Sequence, residues 1–235
     1  MSRNIKIVPN EFYHIYNRGV EKREIFMNEE DRERFLISLK EFNSENKILL
    51  KDVINSNSCG STAGVRKRKG EFNLIVDIMC FCLMPNHFHL ILRELIPGGI
   101  SMFMRKLGNG YTGYFNLKYE RVGHLFQGAY KAKHIKTDEF FKHLILYIHS
   151  NPIELIEYKW KENGIKNLNK VLKFLNFYKW SSNNEYCGKT VYNNGIINKD
   201  LIIEFFEKND YIISFNESLL KNNENDDILK DILLD

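Results

Sequence analysis

Two histidines one residue apart, His87 and His89, stand in a run rich in β-forming residues, His87 to Arg93 (HFHLILR). Side chains alternate across a strand, so His87, His89 and Ile91 share one face, and Phe88, Leu90 and Leu92 share the other. Two imidazoles side by side on one face can hold a single divalent ion through their ring nitrogens. Alone the pair is a weak signal, because such spacings also arise by chance. A second group lies in the segment before Asn151-Pro152. Tyr147 and Asn151 are spaced i, i+4, and His143 precedes Tyr147 by one turn, so a helix would line all three along one stripe. Leu144, Ile145 and Ile148 already supply the apolar face of that helix. A polar Tyr/Asn stripe beside that face invites a role; equally, such a tyrosine is at home on the rim of a core, and Asn151 at a helix C-terminus.

The elements that must position these groups are readable from periodicity. Glu11 to Asn17 alternates β-formers and is broken by Arg18-Gly19, which predicts a first strand and turn. Phe35, Leu36, Leu39 and Phe42 recur at helical spacing behind the acidic Glu29, Glu30 and Asp31, which predicts a helix from Glu29 to Asn43. Asn55 to Gly70 is small and polar, then strongly basic, and reads as a flexible inserted loop. Leu74 to Leu83 is almost entirely apolar, the pattern of a central strand covered on both faces. Met84-Pro85-Asn86 turns it into the histidine strand. A helix follows over Ile100 to Tyr119, weakened by Gly108, Gly110 and Gly113. Then come a strand over Ala129 to Ile135 and a helix that begins at Thr137-Asp138-Glu139 and ends at Asn151-Pro152. The order β-α-β-β-α-β-α predicts an α+β fold, a ferredoxin-like split βαβ antiparallel sheet. Two helices would cover one face, and the tyrosine-bearing helix would lie on the open side. Beyond Asn151 the pattern thins, with Trp180-Ser181-Ser182 and a helix expected over Leu201 to Glu207, and residues 159–235 read as a C-terminal extension, mostly helical or irregular, to a domain spanning residues 1–158.

Composition narrows the class. The chain of 235 residues, 43% hydrophobic, is long enough for one substantial core. It has no apolar run of the ~20 residues a bilayer span needs, and Met1 to Asn10 lacks a signal peptide's apolar stretch, so a cytoplasmic location is expected. Cys59, Cys80, Cys82 and Cys187 form no CxxC pair, which argues against a zinc ribbon or a disulfide framework. A net charge of +4 identifies nothing by itself, but its distribution does. Arg66, Lys67, Arg68 and Lys69 form one basic cluster, and Lys131, Lys133, Lys136 and Lys142 a second, whereas the tail after Asn222 is acidic. The basic middle is a candidate polyanion-binding surface, formed by Arg66, Lys67, Arg68, Lys69, Lys131 and Lys133, with Phe12, Tyr16, Tyr111 and Tyr114 as aromatics able to stack unpaired bases. Solvated charge and core packing are the plainer alternatives for each.

Four strings, FYHIYNRG (Phe12 to Gly19), MPNHFHLIL (Met84 to Leu92), GHLFQGAYKA (Gly123 to Ala132) and YIHSNPI (Tyr147 to Ile153), occur in an order that resembles the single-tyrosine HUH transposases. The resemblance is to the REP-associated tyrosine transposases and insertion-sequence 200/605-like transposases, and spans Phe12 to about Tyr158. It implies that His87 and His89 are metal ligands for Mg²⁺ or Mn²⁺, that Tyr147 is the nucleophile, and that Asn151 stands where relatives often carry a longer glutamine as third ligand. It also implies a single-stranded DNA partner with hairpin-forming ends, a covalent 5′-phosphotyrosine intermediate, and a monomer or a homodimer. His143 is a candidate general base or supporting residue, beside Lys142, His134, His149 or water. A replication initiator or relaxase would use the same residues to nick DNA, and a non-catalytic nucleic-acid-binding module is the reading from another class.

Overall fold

A computed structural model of the chain describes residues 6–46, 73–189, 195–206 and 208–220. The expected loop of residues 55–70, with Arg66, Lys67, Arg68 and Lys69, lies outside them. Four strands, β1 (Phe12–Arg18), β2 (Val76–Met84), β3 (His87–Glu94) and β4 (Lys131–Ile135), form one sheet in the order β2-β3-β1-β4 with every neighbouring pair antiparallel. This is the split βαβ order that the alternation of elements predicts. β1 and β3 are central because each is inserted into the other's βαβ unit.

Two helices connect the strands and pack against one another, α1 (Glu29–Glu41) and α2 (Gly99–Lys118). Asn28 caps α1, its side chain accepting from the Asp31 backbone N–H at 3.0 Å. The α2 terminus starts at Gly98, in the left-handed region at φ 79°, and no side chain of its own caps it. Instead the buried Glu94 carboxylate accepts from the backbone N–H groups of Gly98 and Ile100, both at 3.0 Å, placing an anion on a helix N-terminus. Residues 108–113 stay helical despite three glycines. A Cβ on Gly110 would lie 2.5 Å from Phe42, so that glycine lets α1 and α2 approach. Where they meet, buried Asp31 accepts from Met27 N–H, Lys118 Nζ, Tyr114 Oη and Tyr119 Oη at 2.7–3.0 Å.

The opposite face of the sheet carries α3 (Asp138–Ser150), capped by Thr137, whose hydroxyl accepts from Phe140 N–H at 3.2 Å. It runs into a single 3-10 turn, Asn151–Leu155, where Pro152 ends the α-helical hydrogen bonding. Beyond it lie a short turn of helix at Trp160–Asn163, α4 (Leu168–Phe177), another short turn at Asn183–Tyr186, α5 (Lys199–Phe205) and α6 (Lys208–Leu220).

The apolar run expected to be a central strand is instead an edge: β2 ends the sheet. Its burial is nevertheless complete, with all nine residues buried. The reason is the extension, which lies along the open edge and satisfies it. Leu83 N–H donates to Trp180 C=O at 2.9 Å, Ser182 N–H to Phe81 C=O at 3.0 Å, and Asn198 N–H to Ile78 C=O at 2.9 Å. Tyr178 and Tyr186 donate their hydroxyls to the carbonyls of Leu83 and Met79. A covered edge and a central strand bury side chains equally, so apolarity alone cannot separate them.

Candidate active site

Antiparallel register decides which residues meet on the α3 face of the sheet. Tyr16 of β1 pairs with His89, His14 with Ile91, and Arg18 with His87. On β4, Lys131 pairs with Tyr16 and Lys133 with His14. On β2, Cys82 pairs with His89. Tyr16, His14, Arg18, His87, His89, Cys82, Lys131 and Lys133 therefore share one face. Tyr147 projects from α3 onto it, its ring 6.3 Å from that of His89 and nearly perpendicular.

The two histidines are held in the same way. His87 Nδ1 meets Asn86 Oδ1 at 2.6 Å, and His89 Nδ1 shares a 2.9 Å hydrogen bond with His14 Nε2. Each imidazole thus engages Nδ1 and leaves Nε2 for something else, the arrangement by which outer partners fix the tautomer of ligating histidines. All three are neutral at ordinary pH. Burial, then the charges of Arg18 and Lys161, lowers the His87 pKa to about 3. Burial, then the charge of Lys133, lowers that of His14 to about 3. Burial and the neighbouring His87, His14 and Lys161 hold His89 well below its ordinary value. Neutral imidazole is the form that donates to a cation.

Tyr147 is buried, at 8% exposure, and burial followed by the nearby Tyr16 and Cys82 raises its pKa far above that of a free phenol. Its resting state is the protonated phenol. Lys161, from the turn Trp160–Asn163, sets Nζ 3.8 Å from the centre of the Tyr147 ring and donates to Asn151 Oδ1 at 3.3 Å. The Asn151 amide is buried, and its Nδ2 has no hydrogen-bond partner. Among the described residues no three His, Cys, Asp or Glu side chains gather as a metal site. A cation here would rest on two imidazoles and an amide oxygen. These are uncharged donors, and they leave its remaining positions to water and phosphate oxygens, the ligands that Mg²⁺ and Mn²⁺ favour.

His87, His89, Tyr147 and Asn151 thus converge around Lys161. His143 is half-buried one turn before Tyr147 on α3. The other candidate bases face elsewhere. His134 lies on the other face of the sheet, the α1–α2 side, stacked on Tyr13 and 3.0 Å from Glu11 Oε2. His149 uses both nitrogens in a buried cluster, Nδ1 with Tyr211 Oη at 2.8 Å and Nε2 with Ser182 Oγ at 2.7 Å. Of the aromatics, Tyr16 sits at the site, stacked on His14 and His89. Tyr111 is fully buried with its hydroxyl on Ile25 C=O, Tyr114 belongs to the Asp31 cluster, and Phe12 packs on Phe141 and Phe205. Lys131 Nζ lies 5.7 Å from the Tyr16 ring and Lys133 Nζ 5.5 Å from that of Phe140, on the outer strand beside the site. A cavity of about 660 Å³ opens on the other side of the sheet, lined by Asn17, Arg105, Asn109, His124, Phe126 and Tyr130 among others. Sequence reasoning missed His14, Asn86 and Lys161. His14 was signalled by alternation with Tyr16, but only the β1–β3 register brings it to His89.

Neither a family model nor a curated protein matches the chain. Among solved structures it is similar to one of a REP-associated tyrosine transposase bound to a REP hairpin. The likeness covers 82% of this chain and 88% of that one, at a TM-score of 0.50 and 13% identity. At this identity the likeness is one of fold, a four-stranded antiparallel sheet with helices. The match extends well beyond a bare four-stranded sheet, since the ferredoxin-like unit alone would fill far less of this chain. No helix among the described residues is long and apolar enough to cross a membrane.

Proposed function

We propose that the chain is a metal-dependent endonuclease and strand transferase for single-stranded DNA, a transposase that forms a covalent 5′-phosphotyrosine intermediate. The observation that carries this reading is the Tyr147 ring set against His89 on the open face of a transposase-like sheet, with Asn151 and Lys161 beside it. Hairpin-forming element ends are the substrate class, by analogy with the hairpin named in the similar structure. His87, His89 and the Asn151 amide oxygen would hold Mg²⁺ or Mn²⁺. When bound, that ion supplies Lewis-acid neutralisation of the scissile phosphate.

The chain's own residues account for the rest. Tyr147 Oη forms a bond to phosphorus, the bond from phosphorus to the 3′ oxygen breaks, and that oxygen leaves as a 3′-hydroxyl after taking a proton. The phenolic proton departs to a base, for which His143 is the nearest candidate along α3. The phosphotyrosine conserves the bond energy, so a second 3′-hydroxyl rejoins the strand by the reverse step. Lys131 and Lys133 supply positive charge for the DNA backbone, and Tyr16 offers a ring at the site. The test is incubation of labelled hairpin-bearing single strands with the protein and Mn²⁺, followed by denaturing electrophoresis. A denaturation-resistant adduct that disappears in Tyr147→Phe is expected, and an adduct that persists in that variant refutes the assignment.

A further inference from the structure

Lys161 lies outside the ferredoxin-like unit, yet it contacts two of the residues on which the proposed chemistry depends. Its Nζ covers the Tyr147 ring at 3.8 Å and donates to Asn151 Oδ1 at 3.3 Å. It is also close enough to His87 and His89 for its charge to disfavour their protonation. Asn151 turns its oxygen, the atom with which it would ligate, toward this ammonium, and leaves its own buried N–H₂ unpaired.

We propose that Lys161 is a resident cation that occupies the metal's place at Asn151, so that binding of a divalent ion and engagement of Asn151 by Lys161 exclude one another. The inference rests on the metal reading above. A divalent ion on Asn151 Oδ1 would stand within a few ångströms of a +1 ammonium, a repulsion that low-dielectric surroundings strengthen. Metal entry therefore requires Lys161 to let go. The same movement uncovers the ring of Tyr147, which couples loading of the ion to exposure of the nucleophile. Without metal, Lys161 keeps the amide oxygen satisfied and the phenol covered.

The experiment is calorimetric titration of the full chain with Mn²⁺, without DNA, in the native protein and in Lys161→Met, Lys161→Arg, Asn151→Ala and the Lys161→Met/Asn151→Ala double variant. Lys161→Met, of similar length and no charge, is expected to bind Mn²⁺ about tenfold more tightly, by loss of the like-charge repulsion. Lys161→Arg stays near native, and the gain vanishes in the double variant. Unchanged or weaker binding in a Lys161→Met protein with native-like thermal unfolding overturns the proposal. So does a gain that survives without Asn151. A His87→Ala/His89→Ala protein separates the two readings. If native Mn²⁺ binding is indifferent to those histidines, the metal site itself is wrong; if binding needs them but ignores Lys161, only the exclusion fails.

Discussion

His14 gives the sharpest separation of structural from functional roles. Replacing it with leucine, close in size, removes the partner of His89 Nδ1, a fully buried contact at 2.9 Å. An unpaired buried polar group costs about 1–3 kcal/mol. In the native protein, however, His14 Nδ1 is itself buried without a hydrogen-bond partner. That existing cost, of the same size, disappears with the imidazole, so stability should change by less than about 1 kcal/mol. The ring contacts of His14 with Tyr16 and His89, at 4.8 and 5.1 Å, are replaced by ordinary apolar packing. Metal affinity should respond differently. Loss of an outer partner that fixes a ligating histidine typically costs about 10–100-fold in affinity. Urea unfolding and Mn²⁺ calorimetry on the same preparation read both quantities. Native-like Mn²⁺ affinity in His14→Leu refutes the positioning role, and a stability loss above about 3 kcal/mol means that His14 acts chiefly through packing.

Burial and geometry lead to three further outcomes. His149 is fully buried, and burial lowers its pKa to about 3. The unfolded chain binds this proton near 6.5, so stability falls as pH drops below that value, by about 2 kcal/mol at pH 5 for this residue; flat urea unfolding between pH 7 and 5 in Glu185→Gln would contradict it. Glu185 has the opposite sign: burial raises its pKa to about 7, so its contribution is full below about 4.5 and lost as pH rises to 7. Glu185→Gln should stabilise by roughly 1–3 kcal/mol at pH 8, and not at all near pH 4.5, in unfolding measured at both. Within α2 one substitution should have two signs. Gly110→Ala meets Phe42 at 2.5 Å and should cost about 1–3 kcal/mol, whereas Gly108→Ala meets nothing within 4 Å and should gain about 0.5–1 kcal/mol, both checked by thermal unfolding.

What the sequence disclosed is what local period encodes. Alternation placed His87 and His89 on one face, and helical spacing placed Tyr147 and Asn151 on one stripe, because each pattern repeats within a single element. The element order then limited the sheet to an arrangement with β1 and β3 at its centre. Position within the sheet was not encoded locally. The run Leu74 to Leu83 reads as a central strand because the residues that bury its edge, Tyr178, Trp180, Ser182, Tyr186 and Asn198, lie about a hundred residues away.

The same distinction applies inside the site, and there it has a chemical consequence. His14 reaches His89, and Lys161 reaches Asn151, through pairings 75 and 10 residues apart, which neither period reveals. His14 belongs to the sheet and is fixed by strand register, so its effect on His89 is built into the fold. Lys161 comes from the short turn beyond Pro152, outside the sheet and its hydrogen-bond ladder. Its neighbour Trp160 is buried and anchors that turn, while the fully buried bond of His149 to Tyr211, at 2.8 Å, ties α3 to α6. The residues that define the proposed chemistry therefore sit on the strands of the sheet, on α3 and, for Asn151, at the turn that ends it. The cation that covers them ends a long side chain on a turn outside the sheet, so letting go asks for a change of the Lys161 rotamer while buried Trp160 holds the turn in place. Under the proposed function a phosphate must reach a buried phenol, and the Lys161 side chain is the member of the site whose movement would admit it.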